Sequence, residues 1–201
     1  MEGYYGADFY RVSFLFTKVR RDSLRPEVYH VWGMNHYKKT ITPFTGTCTV
    51  TRFAALPDTV GMANSRTRRG YTAFATYVLR EDPTTKGAGV YAGQALLDFS
   101  VDARNQATQA QFEELDAGFG NPTEGGGLIF RGTWRNNATG QEKPACWAHG
   151  FATIMPDTLA KLGLGASDPT GIVALEKYGW KDGGIDDEKW WRPRAKSGQR
   201  R

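Results

Sequence analysis

Apolar and polar side chains alternate with a period of two along much of the chain, the spacing of strands with one buried face. From Phe9 to Val19, Tyr10, Val12, Phe14 and Phe16 fall on one side and Arg11, Ser13, Leu15 and Thr17 on the other. The turn-like run Arg20 to Pro26 follows, and Glu27 to Ile41 predicts a long second strand, bent at Gly33. Thr42-Pro43 should end it, because proline has no N–H to give to a strand ladder. Phe44 to Ala54 then sets Thr45, Thr47, Thr49 and Thr51 on one face and Gly46, Cys48 and Val50 on the other, inner one. After a polar loop from Pro57 to Gly70, Tyr71 to Arg80 groups Tyr71, Ala73, Ala75, Tyr77 and Leu79. The turn Glu81 to Gly87 leads into Val90 to Val101, and the whole reads as an antiparallel meander.

The hairpin that follows is the most informative segment. Leu128 to Arg135 and Glu142 to Ile154 flank a six-residue polar turn, Asn136 to Gln141. An even loop pairs Trp134 with Lys143, Gly132 with Ala145 and Phe130 with Trp147, and directly opposed side chains share a face. Leu128, Phe130, Trp134, Trp147, His149 and Phe151 would then form one aromatic surface, with Ile129, Arg131, Thr133, Cys146 and Ala148 on its reverse. Arg104 to Leu115 is ambiguous between a short helix and a loop with a strand. Gly118 to Gly127 reads as a glycine-rich loop, and Ser167-Asp168-Pro169 as a helix start leading towards Tyr178.

These elements predict an all-β fold: a single antiparallel meander β-barrel of about eight strands, with a short C-terminal helix or irregular tail. A chain of 201 residues fits one such domain, and there is no internal repeat and no linker to divide it. Aromatic residues at 13% are enough to fill a thick interior between sheets. Residues 181–201 read as a peripheral basic tail. From Lys189 onward it holds Arg192, Arg194, Lys196, Arg200 and Arg201 without an acid. A tail of this kind is either a solvated terminus or a holder of phosphate or anionic lipid.

The remaining chemistry narrows the choice of function. Two cysteines, Cys48 and Cys146, exclude a four-cysteine zinc site and are expected as free thiols, one bridge being the alternative. His30 and His36 would stand roughly 20 Å apart on one strand, too far to share a metal, so no metal and no cofactor is expected. Glycine clusters at Gly89 to Gly93 and Gly125 to Gly127 lack the Lys-Ser/Thr of a phosphate loop and read as turns. The carboxylate groups Asp98 with Asp102, Glu113-Glu114 with Asp116, and Asp186-Asp187-Glu188 have no spacing that fixes a catalytic pair. Arg66, Arg68 and Arg69 beside Lys38 and Lys39 could form a basic patch, but 26 basic against 21 acidic residues is a modest balance for a nucleic-acid partner. Asn137-Ala138-Thr139 fits a glycosylation sequon and, equally, an ordinary hairpin tip. No stretch is apolar for long enough to span a membrane as a helix.

At Thr42-Pro43-Phe44-Thr45-Gly46-Thr47, and from Gly132-Thr133-Trp134 to Cys146-Trp147, the chain resembles lipocalin-like (calycin-like) β-barrel proteins of the bacterial cell envelope. The resemblance runs across most of Phe9 to Ile154. Lipocalins carry their Gly-x-Trp near the first strand; here Gly132-Thr133-Trp134 lies late. It implies a cavity at one barrel mouth for a small apolar ligand and a secreted or periplasmic location, with the leader removed, a cytoplasmic location being the alternative. It supplies no catalytic residues.

The expected function is therefore non-enzymatic binding of a small, largely apolar or aromatic ligand, with Phe130, Trp134, Trp147, His149 and Phe151 as the wall. Two alternatives stand beside it. An isomerase- or cyclase-type enzyme would use the same cavity and need His149 or Asp98 pointing inward. An envelope or structural interaction module would have a filled core and no ligand.

Overall fold

The computed structural model describes residues 1–56, 69–110, 122–157, 159, 175–180 and 190–191. Nine strands run in chain order: β1 Glu2–Tyr5, β2 Tyr10–Arg21, β3 Val28–Tyr37, β4 Thr40–Ala55, β5 Arg69–Glu81, β6 Gly89–Val101, β7 Ala107–Gln109, β8 Leu128–Asn136 and β9 Glu142–Ala148. All pairings are antiparallel. The sheet closes in a ring, β1-β2-β3-β4-β5-β6-β8-β9 and back to β1, while β7 adds only to the last residues of β6. The all-β antiparallel meander expected from the sequence is the fold.

Strand alternation sorts the side chains into two cores. Inward-facing Val12, Phe14, Val31, Phe44, Tyr77, Leu79, Tyr91, Phe130, Trp134 and Trp147 cluster inside the ring. Outside, Ile129, Cys146 and Ala148 of β8 and β9 are covered by Phe151 of helix α1 (Phe151–Ile154), Leu159, Leu175 and Trp180. Trp180 stacks on Phe151 with ring centroids 5.3 Å apart and donates its indole N–H to the Phe9 carbonyl at 3.1 Å. The Arg11 guanidinium stands 5.8 Å from the Trp180 ring and reaches the Glu2 carboxylate at 2.9 Å, to which Ser13 also donates. The reverse face of the hairpin is thus a second buried layer at Ile129, Cys146 and Ala148, while Arg131 and Thr133 are exposed.

Two boundaries differ from the sequence reading. The second strand ends at Tyr37, and the turn at Lys38-Lys39 starts β4 at Thr40, so Pro43 lies inside β4 opposite Met34. Proline is tolerated there because it sits one residue before the β4–β5 ladder begins at Phe44, where only its carbonyl is used, by the Asp82 N–H at 2.9 Å. β9 stops at Ala148 rather than running to Ile154, and the chain turns at Gly150 into α1. The ambiguous stretch after Arg104 resolves in part as β7. Glu113, Glu114, Asp116, Arg66, Arg68, the helix start at Asp168, Asp186 to Glu188 and the basic tail beyond Trp191 lie outside the described residues.

Candidate functional site

The ring interior is divided along its axis. At the end formed by the β1–β2, β3–β4, β5–β6 and β8–β9 turns it is solid. Trp147, fully buried, is sandwiched between Phe14 at 3.9 Å and Phe130 at 5.1 Å, both nearly parallel to it, with Tyr77 and Tyr91 edge-on at 5.5 Å. Room for these rings comes from glycines on the inner face of neighbouring strands. A Cβ at Gly3 would lie 2.4 Å from Trp147 Cα, and one at Gly33 would lie 2.5 Å from the Phe44 ring. Below the rings, the buried Glu81 carboxylate closes this end, accepting from Asn35 Nδ2 at 2.6 Å, the Gly89 N–H at 2.7 Å and the Trp134 indole N–H at 2.9 Å. Tyr5 packs edge-on against Trp134 at 5.2 Å and Tyr37 at 4.6 Å.

At the opposite end the same strands enclose a cavity of about 770 Å³, open at the mouth. Its depth is lined by Ala73, Ala75 and Ala95 facing Val31, Cys48 and Val50, and its floor by Phe14, Phe16 and Phe130. Val19, Tyr29, Phe53, Phe99 and Ala107 line the outer part. The inward residues of β5 shrink here, and Ala95 of β6 adds to the room. Tyr77 and Leu79 give way to Ala75 and Ala73 on β5, and the directly opposed partner of Ala75 on β6 is Ala95. Polar groups on the lining are few. Gln109 and His149 meet at the rim, 3.3 Å between Nε2 and Nδ1, and among the described residues no Asp or Glu lines the cavity. Such a site, apolar with a few polar groups near the opening, has the character and size of a small-molecule pocket.

The five residues expected to form one wall separate into three places. Phe130 and His149 line the cavity, as floor and rim. Trp134 and Trp147 belong to the solid end beneath it, Trp147 as the centre of the ring stack and Trp134 as a donor to Glu81. Phe151 leaves the surface altogether: β9 has ended, and its ring packs on the outer layer against Trp180. The register itself is as derived, with Phe130 opposite Trp147, Gly132 opposite Ala145 and Trp134 opposite Lys143.

Of the two ionisable groups that an enzyme would need pointing inward, Asp98 faces away from the cavity and His149 stands at its rim. Asp98 is fully buried, but on the outer face of β6, opposite Thr72 of β5. It accepts from Thr72 Oγ1 at 2.5 Å and from the Thr123 hydroxyl, under the Thr123–Gly127 loop. Burial raises its pKa against the opposing pull of those two hydroxyls. His149 is exposed at the rim. Neither group therefore stands deep in the cavity. Cys48 lines the cavity, where burial pushes its thiol up to about 11, while Cys146 points into the outer layer. The two thiols are free and on opposite faces of the sheet.

His30 and His36 share the outer face of β3 but serve different neighbours. His30 Nε2 meets Asp22 at 2.9 Å, and His36 packs near Trp190 at 5.3 Å. Lys38-Lys39 lie at the closed-end turn and Arg69 at the open end of β5, so they do not form one basic patch. Asn136 organises the tip before the sequon by accepting from the Ala138 and Thr139 N–H groups at 2.8 and 2.9 Å. No protein-family model matches the chain, and neither a curated protein nor a solved structure matches it significantly.

Proposed function

We propose that this protein binds a small, largely apolar or aromatic ligand in the cavity at the open end of its ring, without catalysis. The observation that carries the reading is the half-hollow interior: about 770 Å³ bounded by aliphatic and aromatic side chains, beside an interior otherwise packed solid. A cavity of this size persisting above a dense aromatic floor costs packing contacts, which an occupant would restore. The ligand site is then Phe130 and His149 of the expected set, together with Ala75, Ala95, Val31 and Cys48. The lipocalin-like resemblance points to the same use of a barrel mouth.

The test is a fluorescence titration with N-phenyl-1-naphthylamine, comparing the native chain with Ala95→Phe, which puts a ring into the hollow. Saturable enhancement in the native chain, lost in Ala95→Phe, is expected. Alkylation of Cys48 by iodoacetamide should slow when the probe is present, while Cys146 is unaffected. No saturable signal with the native chain would overturn the reading and leave an interaction module without a small ligand.

A further inference from the structure

Among the described residues, three of the most exposed large apolar side chains gather at the cavity mouth: Val19 at 59%, Phe53 at 63% and Leu24 at 90% exposure. Single exposed apolar residues are ordinary, but a group around one opening marks a contact surface. Leu24 is at the tip of the β2–β3 hairpin, and its exposure is built in. The Asp22 carboxylate accepts from the Leu24 and Arg25 N–H groups at 2.9 and 3.0 Å and meets His30 at 2.9 Å. That turn holds the Leu24 side chain outward.

The surroundings are cationic. The hairpin carries Lys18, Arg20, Arg21 and Arg25 against Asp22 and Glu27, and Asp22 is already engaged by His30 and Arg25. Its pKa is held well below the usual carboxylate range by the His30 contact first and then by the turn N–H groups. Lys18 and Arg20 lie over the Trp32 ring at 5.1 and 6.0 Å, and Arg52, next to Phe53, lies over Phe74 at 3.4 Å. Their charged groups lie on aromatic faces at an exposed surface and pair with no acid among the described residues.

We propose that the open end of the ring docks on an anionic lipid surface. Leu24, Val19 and Phe53 enter the boundary between headgroups and acyl chains, and Arg20, Arg21, Arg25 and Arg52 lie on the headgroups. Neither signal suffices alone: apolar tips give weak, reversible attachment, and basic clusters give attraction that salt screens, but the two together hold a protein at a membrane. Aliphatic tips favour lipid over nucleic acid, which is gripped by phosphate contacts and by aromatic stacking that Leu24 and Val19 cannot provide. The orientation points the cavity mouth at the bilayer. The docking surface stands whether or not the cavity takes a ligand.

The experiment is co-sedimentation of the full chain with large vesicles of phosphatidylcholine alone and with about one-third phosphatidylglycerol at physiological salt. Binding to the anionic vesicles should be at least about ten-fold tighter. Leu24→Ser with Phe53→Ser should lose about ten-fold with little change in melting temperature, since Leu24 is 90% and Phe53 63% exposed. Arg20→Gln with Arg25→Gln should lose a similar factor and flatten the salt dependence. Ile41→Ser, exposed at the closed end, should bind like the native chain. Equal binding to both vesicle types, or full binding by the Leu24/Phe53 variant, overturns the proposal. So does binding to a single-stranded oligonucleotide by a chain that ignores vesicles.

Discussion

Strand β5 carries Tyr77 and Leu79 on its inner face at one end and Ala73 and Ala75 at the other; β6 opposes them with Tyr91 and then Ala95. The β5–β6 pairing runs without a shift from end to end, while β2 and β4 each carry an irregularity in the hollow half, between Phe16 and Lys18 and between Val50 and Arg52. Along this pair it is side-chain volume on β5 that changes, and with it the interior passes from a stacked aromatic solid to a hollow of about 770 Å³. Polarity patterning decides which residues face inward, whereas size decides whether inward-facing residues leave room. A cavity in such a ring is therefore a pattern in volume laid over a pattern in polarity.

The sharpest break of that contrast is in the solid end. Trp147→Ala removes the ring that Phe14, Phe130, Tyr77 and Tyr91 pack against, and should cost about 3–5 kcal/mol in chemical denaturation. A loss under about 1 kcal/mol would mean this end is no more tightly packed than the other. Next comes the closing carboxylate. Glu81→Ala strands the Asn35 amide, the Gly89 N–H and the Trp134 indole N–H in a dry interior, and should cost about 3 kcal/mol. In the hollow end, by contrast, Ala95→Phe should change stability by no more than about 1 kcal/mol. The same enlargement in a filled core costs about 1–3.

The smallest effect belongs to Asp98, behind the open end. Its pKa is raised in the folded state, so the fold binds its proton more tightly than the unfolded chain does. Its favourable contribution is complete below the unfolded carboxylate pKa and is lost as pH rises through the folded one. Asp98→Asn has no such dependence. The melting temperature of the native chain should therefore gain on that of the variant as pH is lowered from neutrality towards 4. Parallel curves would show that the Thr72 and Thr123 hydroxyls fully offset burial.

The hairpin register was legible because an even polar turn admits few pairings, and the loop from Asn136 to Gln141 holds Arg135 opposite Glu142. That Phe130 and Trp147 share an inner face followed from it. Three things were not legible. The four-residue strand β1 is too short for a periodicity to register, yet it supplies the closing partner of both β2 and β9. Phe151 continues the alternation in sequence, but the backbone turns at Gly150, and a tertiary partner, Trp180, captures the ring. The hollow was written in Ala73, Ala75 and Ala95, which sat in plain view on the inner face. They count as apolar in any alternation, and so the cavity wall was assigned to the large aromatics that make its floor and the packing beneath.

The short strand β1 also has a consequence for how the molecule assembles. The pairings from β1 through β7 and the β8–β9 hairpin join strands that are neighbours in the chain and can form early. The β1–β9 ladder joins the most distant pair, Glu2 with Ala148 through Tyr5 with Ala145. Loop-closure entropy makes such a contact the slowest to reward its own formation. The ring thus has a seam, and until it shuts, β9 presents an unpaired edge and Trp147 lacks the Gly3 backbone that it packs against. Nascent chains are most exposed to intermolecular strand pairing in that interval, and the two hydrogen-bonded sides of one four-residue segment determine how long it lasts.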